Sequence, residues 1–122
     1  MEVNTNLFKS FGYAIEGIKL AYKYNRNIKI HTLAGILAII LSFVLGLTGY
    51  EIAIILVLIL LVISAEMVNT AIEEMVDLIV QEHREQARIA KDVAAGMVLV
   101  CAMGSVVIGV VIFVPHILQL FK

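Results

Sequence analysis

The chain has 122 residues, of which 61% are hydrophobic, and its formal net charge is -1 at pH 7. This length allows a single domain over residues 1–122, and so large an apolar fraction is typical of a membrane protein. The near-neutral charge gives no reason to expect a nucleic-acid partner, and the lone Cys101 excludes a disulfide framework or a cysteine-based metal site within one chain.

The first predicted element is an amphipathic helix at about residues 5–27, where apolar side chains recur at spacings of three and four. Such a helix fits the membrane surface, and the alternative is a soluble-style helix packed on other helices. Polar residues throughout Met1 to Tyr24 leave no continuous apolar stretch of the signal-peptide type. We therefore expect this segment to remain in the mature protein.

Three apolar segments follow, and we predict membrane-spanning helices at about residues 29–48, 51–80 and 88–119. The uncharged runs Thr32 to Tyr50 and Val93 to Pro115 can each cross a hydrocarbon core of about 30 Å at about 1.5 Å per residue. The middle run, Ile52 to Ala65, is too short alone. Its helix must therefore continue through the acidic residues to about Ile79.

The cations predict the orientation of these spans. Lysine and arginine are concentrated before the first span and between the second and third, whereas only Lys122 follows the last. The positive-inside rule therefore places the N-terminus and the loop around residue 85 in the cytoplasm, with the C-terminus outside.

Polar side chains form a stripe on the second predicted span. At about 100° per residue, Asn69, Thr70, Glu73 and Asp77 lie within about 60° of Glu66 on one helical face. Ionisable groups at membrane depth are costly, so such a stripe is a candidate functional site. Glu66 is nearest to the apolar run and is the candidate general base. The alternative, applying most to Glu74, is the solvated end of a long helix.

A second charged cluster lies in QEHREQARIAKD. A charge run of this kind is usually solvated surface, but Lys91 and Asp92 stand at the entry of the last span. A cation there could hold a phosphate, and a carboxylate could orient a nucleotide or a metal. The chain has neither a P-loop nor a protein-kinase glycine loop. Its three histidines are too scattered for a zinc motif, and a lone histidine at a span end usually packs at the interface.

The motif AEMVNTAIEEMVDL, followed by EHR and IAKDVAAG, resembles the small bacterial integral-membrane lipid kinases, the family of prokaryotic diacylglycerol kinase and undecaprenol kinase. The resemblance covers nearly the whole chain, including GYAIEGIKLAY and NRNIKIH upstream. It implies an all-α protein with a surface helix and three spans, assembled as a homotrimer with active sites between subunits. It also implies a bacterial inner membrane, a site facing the cytoplasm, a membrane lipid alcohol as substrate, and MgATP, with Mg²⁺ as cofactor and ATP as phosphoryl donor.

The same resemblance assigns roles to individual residues. Glu66 corresponds to the catalytic base, Asn69 and Ala95 join it in the lipid site, and Glu73 corresponds to the carboxylate that binds Mg²⁺. The nucleotide contacts implied are Tyr13, Asn25, Glu73, Glu82, His83, Arg84, Lys91 and Asp92.

Asn25 departs from the family pattern, because many members carry a glutamate there as a second metal-binding carboxylate. An asparagine can offer Mg²⁺ a carbonyl oxygen but no charge. Asn25 is therefore a weaker candidate metal ligand than Glu73.

The predicted substrate is undecaprenol, since the IFVPHI tail, the R-N-x-x-I-H run and the VDLI segment look most like the Gram-positive family members. The alternative is a diacylglycerol kinase that makes phosphatidic acid. A more remote alternative is a small proton-coupled transporter in which Glu66 acts as a relay. Such a protein usually has polar groups along the depth of a span, whereas here they gather at one end.

Overall fold

The computed structural model describes residues 6–122, so the predicted start of the surface helix at about residue 5 lies outside the described range. The described chain forms four α-helices, which are α1 (Leu7–Tyr24), α2 (Arg26–Val44), α3 (Gly49–Ile79) and α4 (Glu85–Gln119). By length and composition, α2, α3 and α4 are each able to cross a membrane. The predicted all-α class with three helices of spanning length is thus confirmed.

Asn25 separates α1 from α2. Its backbone is extended, and its side-chain Oδ1 accepts hydrogen bonds from the backbone N–H groups of Asn27, at 2.8 Å, and Ile28, at 3.3 Å. A side chain that satisfies free N–H groups in this way is an N-cap and starts a new helix. For this reason α1 ends at Tyr24, before the predicted limit near residue 27.

The turn between α2 and α3 depends on one glycine. Gly46 has a φ of 68°, in the left-handed region that glycine adopts without a steric penalty. Its neighbour Leu47 donates its N–H to the Ser42 carbonyl at 3.0 Å, which closes the end of α2 in a Schellman-type arrangement. Thr48 and Glu51 then form a reciprocal capping box that starts α3.

The central helix is α3, which packs on α4 most extensively, on α2, and on α1. It runs without a break from the apolar residues through the acidic ones. At its contact with α2, a Cβ added to Gly35 would lie only 2.9 Å from Ile59 Cγ2, so the absence of a side chain lets the two helices approach closely. The hydroxyls of Tyr22 and Thr32 are 2.6 Å apart and join α1 to α2.

Most large apolar side chains point away from this core. Phe43, Val100 and Val111 are examples, each exposed on the outside of a membrane-length helix. The buried side chains are confined to the lines where helices meet, as with Ile28 and Ile55. An apolar exterior of this extent suits lipid or other protein helices rather than water.

Candidate active site

The Glu66 side chain is buried at the level of the α1–α2 junction. The residue is 1% exposed, and groups from the start of α2 contact both of its carboxylate oxygens. Asn25 Nδ2 donates a hydrogen bond to Oε2 at 2.9 Å, and His31 Nε2 lies 3.3 Å from Oε1. Burying a carboxylate is costly unless polar groups contact it, and Asn25 and His31 provide such contacts here.

Asn69 lies one helical turn beyond Glu66 and is 7% exposed. Its Nδ2 donates to Glu73 Oε1 at 3.2 Å, and since a carboxylate only accepts, this contact fixes which way the amide faces. Within residues 6–122, the buried Asn69 Oδ1 has no hydrogen-bond partner. Leaving a buried acceptor unpaired lowers stability by about 1–3 kcal/mol, so this oxygen is suited to accept a hydrogen bond from a ligand.

Thr70 completes the same cluster. Its hydroxyl accepts from Asn25 Nδ2 at 2.7 Å and donates to the backbone carbonyl of Glu66 at 2.9 Å. Beside it opens a cavity of about 250 Å³ between the α1–α2 junction and α3, lined by Tyr24, Asn25, Arg26, Asn27, Asn69, Thr70, Glu73 and Glu74. The structure therefore brings Asn25, Asn69 and Glu73, from three different turns, to one polar cavity.

Exposure increases along the stripe. Glu66 and Asn69 are buried, Glu73 is half-buried, and Asp77 is exposed. Glu74 is also exposed, as the solvated-end interpretation expects for it. The acidic side chains of α3 thus pass from buried at Glu66 to exposed at Asp77, so a buried carboxylate and a solvent-exposed ligand can share one helix face.

A second cavity, of about 250 Å³, lies between the end of α3 and the start of α4. Its wall consists of Val76, Asp77, Val80, Glu82, His83, Arg84, Ala87, Arg88 and Lys91. Lys91 Nζ donates to Asp77 Oδ1 at 2.6 Å, which ties the two helices together. Four of the predicted nucleotide contacts, Glu82, His83, Arg84 and Lys91, therefore share one cavity.

The remaining predicted site residues lie apart from these cavities. Asp92 is exposed and accepts a hydrogen bond from Arg88 at 2.8 Å. Tyr13 and Ala95 have exposed side chains on α1 and α4. In the described part of the chain, neither residue lines either cavity.

The side chains near Glu73 fit a magnesium ion that arrives with a nucleotide, and they fit a resident metal centre poorly. The described residues contain no group of three or more His, Cys, Asp or Glu side chains close enough to hold a metal. Mg²⁺ usually keeps several waters and takes one or two carboxylates together with substrate phosphates, and Glu73 can supply one. The Asn25 carbonyl oxygen already caps α2, and its NH₂ group faces the site.

Sequence reasoning missed His31 and Thr70 as members of this cluster. The sequence predicts interfacial packing for His31 and places Thr70 on the stripe without a role. Their contacts join α3 to the start of α2, and no local spacing reveals which residues of two distant helices meet. The nearest signal was NRNIKIH, which holds both Asn25 and His31.

The fold and the site define a small membrane protein in which three membrane-length helices carry, at one end, a buried carboxylate and a charged cavity. Residues 12–113 match the family model described as prokaryotic diacylglycerol kinase. The chain belongs to the prokaryotic diacylglycerol kinase family. It is an enzyme of the lipid kinase class, and the family implies ATP as its phosphoryl donor.

Three relatives illustrate the similarity. The chain is 40% identical over 120 residues to a diacylglycerol kinase from Synechocystis sp., a match that covers 98% of this chain and 69% of the relative. It is 44% identical over 108 residues to the undecaprenol kinase of Bacillus subtilis, covering 88% of each chain. It is 33% identical over 111 residues to the diacylglycerol kinase of Haemophilus influenzae, covering 89% of this chain and 94% of the relative.

Proposed function

We propose that the chain transfers the γ-phosphoryl group of MgATP to the hydroxyl of undecaprenol, at the cytoplasmic face of a bacterial plasma membrane. The observation that carries the proposal is the buried Glu66 carboxylate, one turn from the unpaired Asn69 Oδ1, at the end of a membrane-length helix. A lipid alcohol held in the bilayer presents its hydroxyl at this depth.

Glu66 acts as the general base. Its carboxylate accepts the proton of the lipid hydroxyl while the hydroxyl oxygen forms a bond to the γ-phosphorus of ATP and the bond to the β–γ bridging oxygen breaks. ADP leaves with that oxygen, and the proton remains on Glu66 until it passes to water. Asn69 Oδ1 accepts a hydrogen bond from the same lipid hydroxyl as the alcohol enters the site, which orients the alcohol before that single proton turns to Glu66.

The phosphates of ATP bind toward the solvent-exposed end of the stripe, beyond Asn69. Glu73 is one turn beyond Asn69 and provides a carboxylate for the magnesium that accompanies ATP. Further along, the cavity between α3 and α4 places the cations of Arg84 and Lys91 near the end of α3. Phosphoryl transfer depends mainly on positioning and on neutralising phosphate charge, which such cations provide.

Two features of the assembly belong to the same proposal. Helix α1 lies on the membrane surface, with exposed Phe8 and Phe11 in the interface and its lysines toward water. Three copies associate, and the trimer covers apolar faces that one chain leaves open and encloses the sites between subunits. Chemical cross-linking and mass measurement in detergent test this state, and a monomer that retains full turnover would contradict it.

Diacylglycerol is the competing substrate. The diacylglycerol kinase from Synechocystis sp. aligns with 98% of this chain. The undecaprenol kinase of Bacillus subtilis has the higher identity, 44%. Both alcohols present a primary hydroxyl, so the catalytic groups serve either one. We favour undecaprenol because that relative is 44% identical to this chain, against 40% and 33% for the two diacylglycerol kinases described above.

The test is ATP consumption by the purified protein with no lipid, with undecaprenol, or with diacylglycerol. The proposal expects ATP turnover to depend on lipid alcohol and to be faster with undecaprenol under matched conditions. Faster turnover with diacylglycerol would reassign the substrate within the same class. If neither alcohol stimulates ATP consumption, the kinase function is overturned. Proton flux across vesicles containing the protein would then support the transporter.

A further inference from the structure

Asn25 contacts the candidate base from a different helix. Its Nδ2 donates both to Glu66 Oε2 at 2.9 Å and to Thr70 Oγ1 at 2.7 Å, while His31 Nε2 lies 3.3 Å from the other Glu66 oxygen. We propose that Asn25, together with His31, is a positioning residue that holds the Glu66 carboxylate in the orientation needed to take a proton. This inference rests on the proposed function and adds a role for residues near the start of α2.

The orientation of the Asn25 amide follows from its partners. Its Oδ1 faces two backbone N–H groups, those of Asn27 and Ile28, and both can only donate. Its NH₂ faces a carboxylate, which can only accept. Rotating the amide would set donors against donors and an oxygen against an anionic oxygen. The carbonyl oxygen is therefore committed to the α2 cap, and the group offered to the site is a hydrogen-bond donor.

A donor at this position suits a base better than it suits a metal. A metal ligand must present a lone pair, and the NH₂ of Asn25 has none to offer. A hydrogen bond from a neutral amide to a carboxylate fixes its direction without adding a charge. Because the donor is the N-cap of α2, the capping hydrogen bonds that begin this helix also fix the amide that points at Glu66.

His31 supplies the second point of contact. It lies two helical turns beyond Asn25 by sequence, near the cytoplasmic end of α2, and its side chain is 29% exposed. With Asn25 on Oε2 and His31 beside Oε1, the carboxylate is restrained from both sides. A carboxylate has about four lone-pair sites, so it can still accept the substrate proton. Misplacing a catalytic group by about 1 Å can cost as much as about 100-fold in rate.

Two substitutions at Asn25 separate capping, positioning and metal binding. Asn25→Ser keeps an N-cap oxygen but removes the donor, and Asn25→Asp keeps the cap and replaces the donor with an anionic oxygen. We expect both proteins to assemble with a kcat about 10-fold below that of wild type. Asn25→Ser should melt near the wild-type temperature, whereas Asn25→Asp should melt lower because its anionic oxygen faces the Glu66 carboxylate. The half-saturating magnesium concentration of Asn25→Ser should not change. The control is Asn6→Ala, which removes the N-cap of α1 away from the site.

A double-mutant test asks whether Asn25 acts through the base. If it does, adding Asn25→Ser to a Glu66→Gln protein should lower the residual turnover by less than about 2-fold, because no base remains to be positioned. A full 10-fold loss in that background would overturn the inference. So would a normal kcat for Asn25→Ser in the wild-type background, or a several-fold rise in its magnesium requirement at unchanged kcat.

His31 is tested with a matched pair. Glutamine carries an amide nitrogen close to the place of imidazole Nε2, so His31→Gln should keep kcat within about 3-fold, whereas His31→Leu should lower it by about 10-fold. Equal activity of the two proteins would remove His31 from the inference.

Wild-type protein is assayed first with undecaprenol and diacylglycerol. If wild-type protein shows no lipid-dependent turnover, both the proposed function and this inference are wrong. If wild type is active and the variants are unaffected, only the inference is wrong.

Discussion

His116 Nε2 lies 3.1 Å from both carboxylate oxygens of Glu51 and so joins the C-terminal end of α4 to the first turn of α3. Glu51 is also the capping-box residue that accepts the Thr48 backbone N–H at 2.8 Å. One carboxylate thus closes the start of a helix and holds a second helix against it. At about 1.5 Å per residue this pair is about 22 Å along α3 from Glu66, at the opposite end of the bundle.

We expect His116→Ala to lower the free energy of unfolding by about 1 kcal/mol, since a partly buried hydrogen bond to a carboxylate is lost. Thermal unfolding in detergent measures this loss. Gln119→Ala, an exposed change at the same end of α4, is the control and should leave the melting temperature unchanged. An unchanged melting temperature for His116→Ala would mean that the Glu51 contact contributes nothing to stability.

Gly35→Ala should destabilise the packing of α2 on α3. The new Cβ would meet Ile59 Cγ2 at 2.9 Å, and because Ile59 is β-branched, its methyl cannot move without a change of rotamer. Overpacking of this kind costs about 1–3 kcal/mol. Gly12→Ala makes the same chemical change in α1, where the added Cβ meets no atom within 4 Å, and should be neutral or slightly stabilising. Equal melting temperatures for the two proteins would contradict the close approach.

The predicted topology is tested by labelling single cysteines in intact cells, in a Cys101→Ala background. A cysteine in place of Gln86 should react only with a cytoplasmic reagent, and one in place of Lys122 only from outside, because the positive-inside rule assigns the ends flanked by cations to the cytoplasm. Labelling of both positions from one side would exclude three spans.

The sequence predicted the helices well because their signals are local. An uncharged run of spanning length identifies α2 and the apolar part of α4, and the short run at Ile52 to Ala65 required α3 to continue through the acidic stripe. The Asn25 contacts could not be predicted in this way. Asn25 and Glu66 are 41 positions apart, and Glu51 and His116 are 65 apart. Which distant residues meet depends on how the helices pack.

The same limit applies within the candidate site. The residues of the stripe share one face of one helix, so helical periodicity alone gathers Glu66, Asn69 and Glu73. The direction of the Asn25 amide depends on the break between α1 and α2, which a continuous helical pattern up to about residue 27 did not show. Family resemblance identifies a position but leaves the orientation of a substituted side chain undetermined.

Glu66→Gln should lower turnover by about 100-fold or more, because the amide keeps the shape of the side chain but cannot accept the proton. Assembly and melting temperature should change little. Lipid-dependent ATP consumption measures the effect, and Glu16→Gln, an exposed carboxylate change on α1, is the control. Near-normal turnover in Glu66→Gln would remove this residue from the role of base.

Glu73→Gln should raise the half-saturating magnesium concentration or abolish turnover. Glu73 is the half-buried carboxylate of the polar cavity, and its replacement by an amide removes a negative charge from the place where MgATP is proposed to bind. ATP phosphates already supply most of the charge that holds the metal, so a few-fold change is expected if turnover survives.

Turnover is measured against magnesium at fixed ATP and lipid, with Asn25→Ser alongside. A magnesium requirement that rises for Glu73→Gln but not for Asn25→Ser supports Glu73 as the metal-binding side chain and Asn25 as a donor to the base. If the requirement and the turnover of Glu73→Gln both match wild type, the metal does not bind on this face of α3.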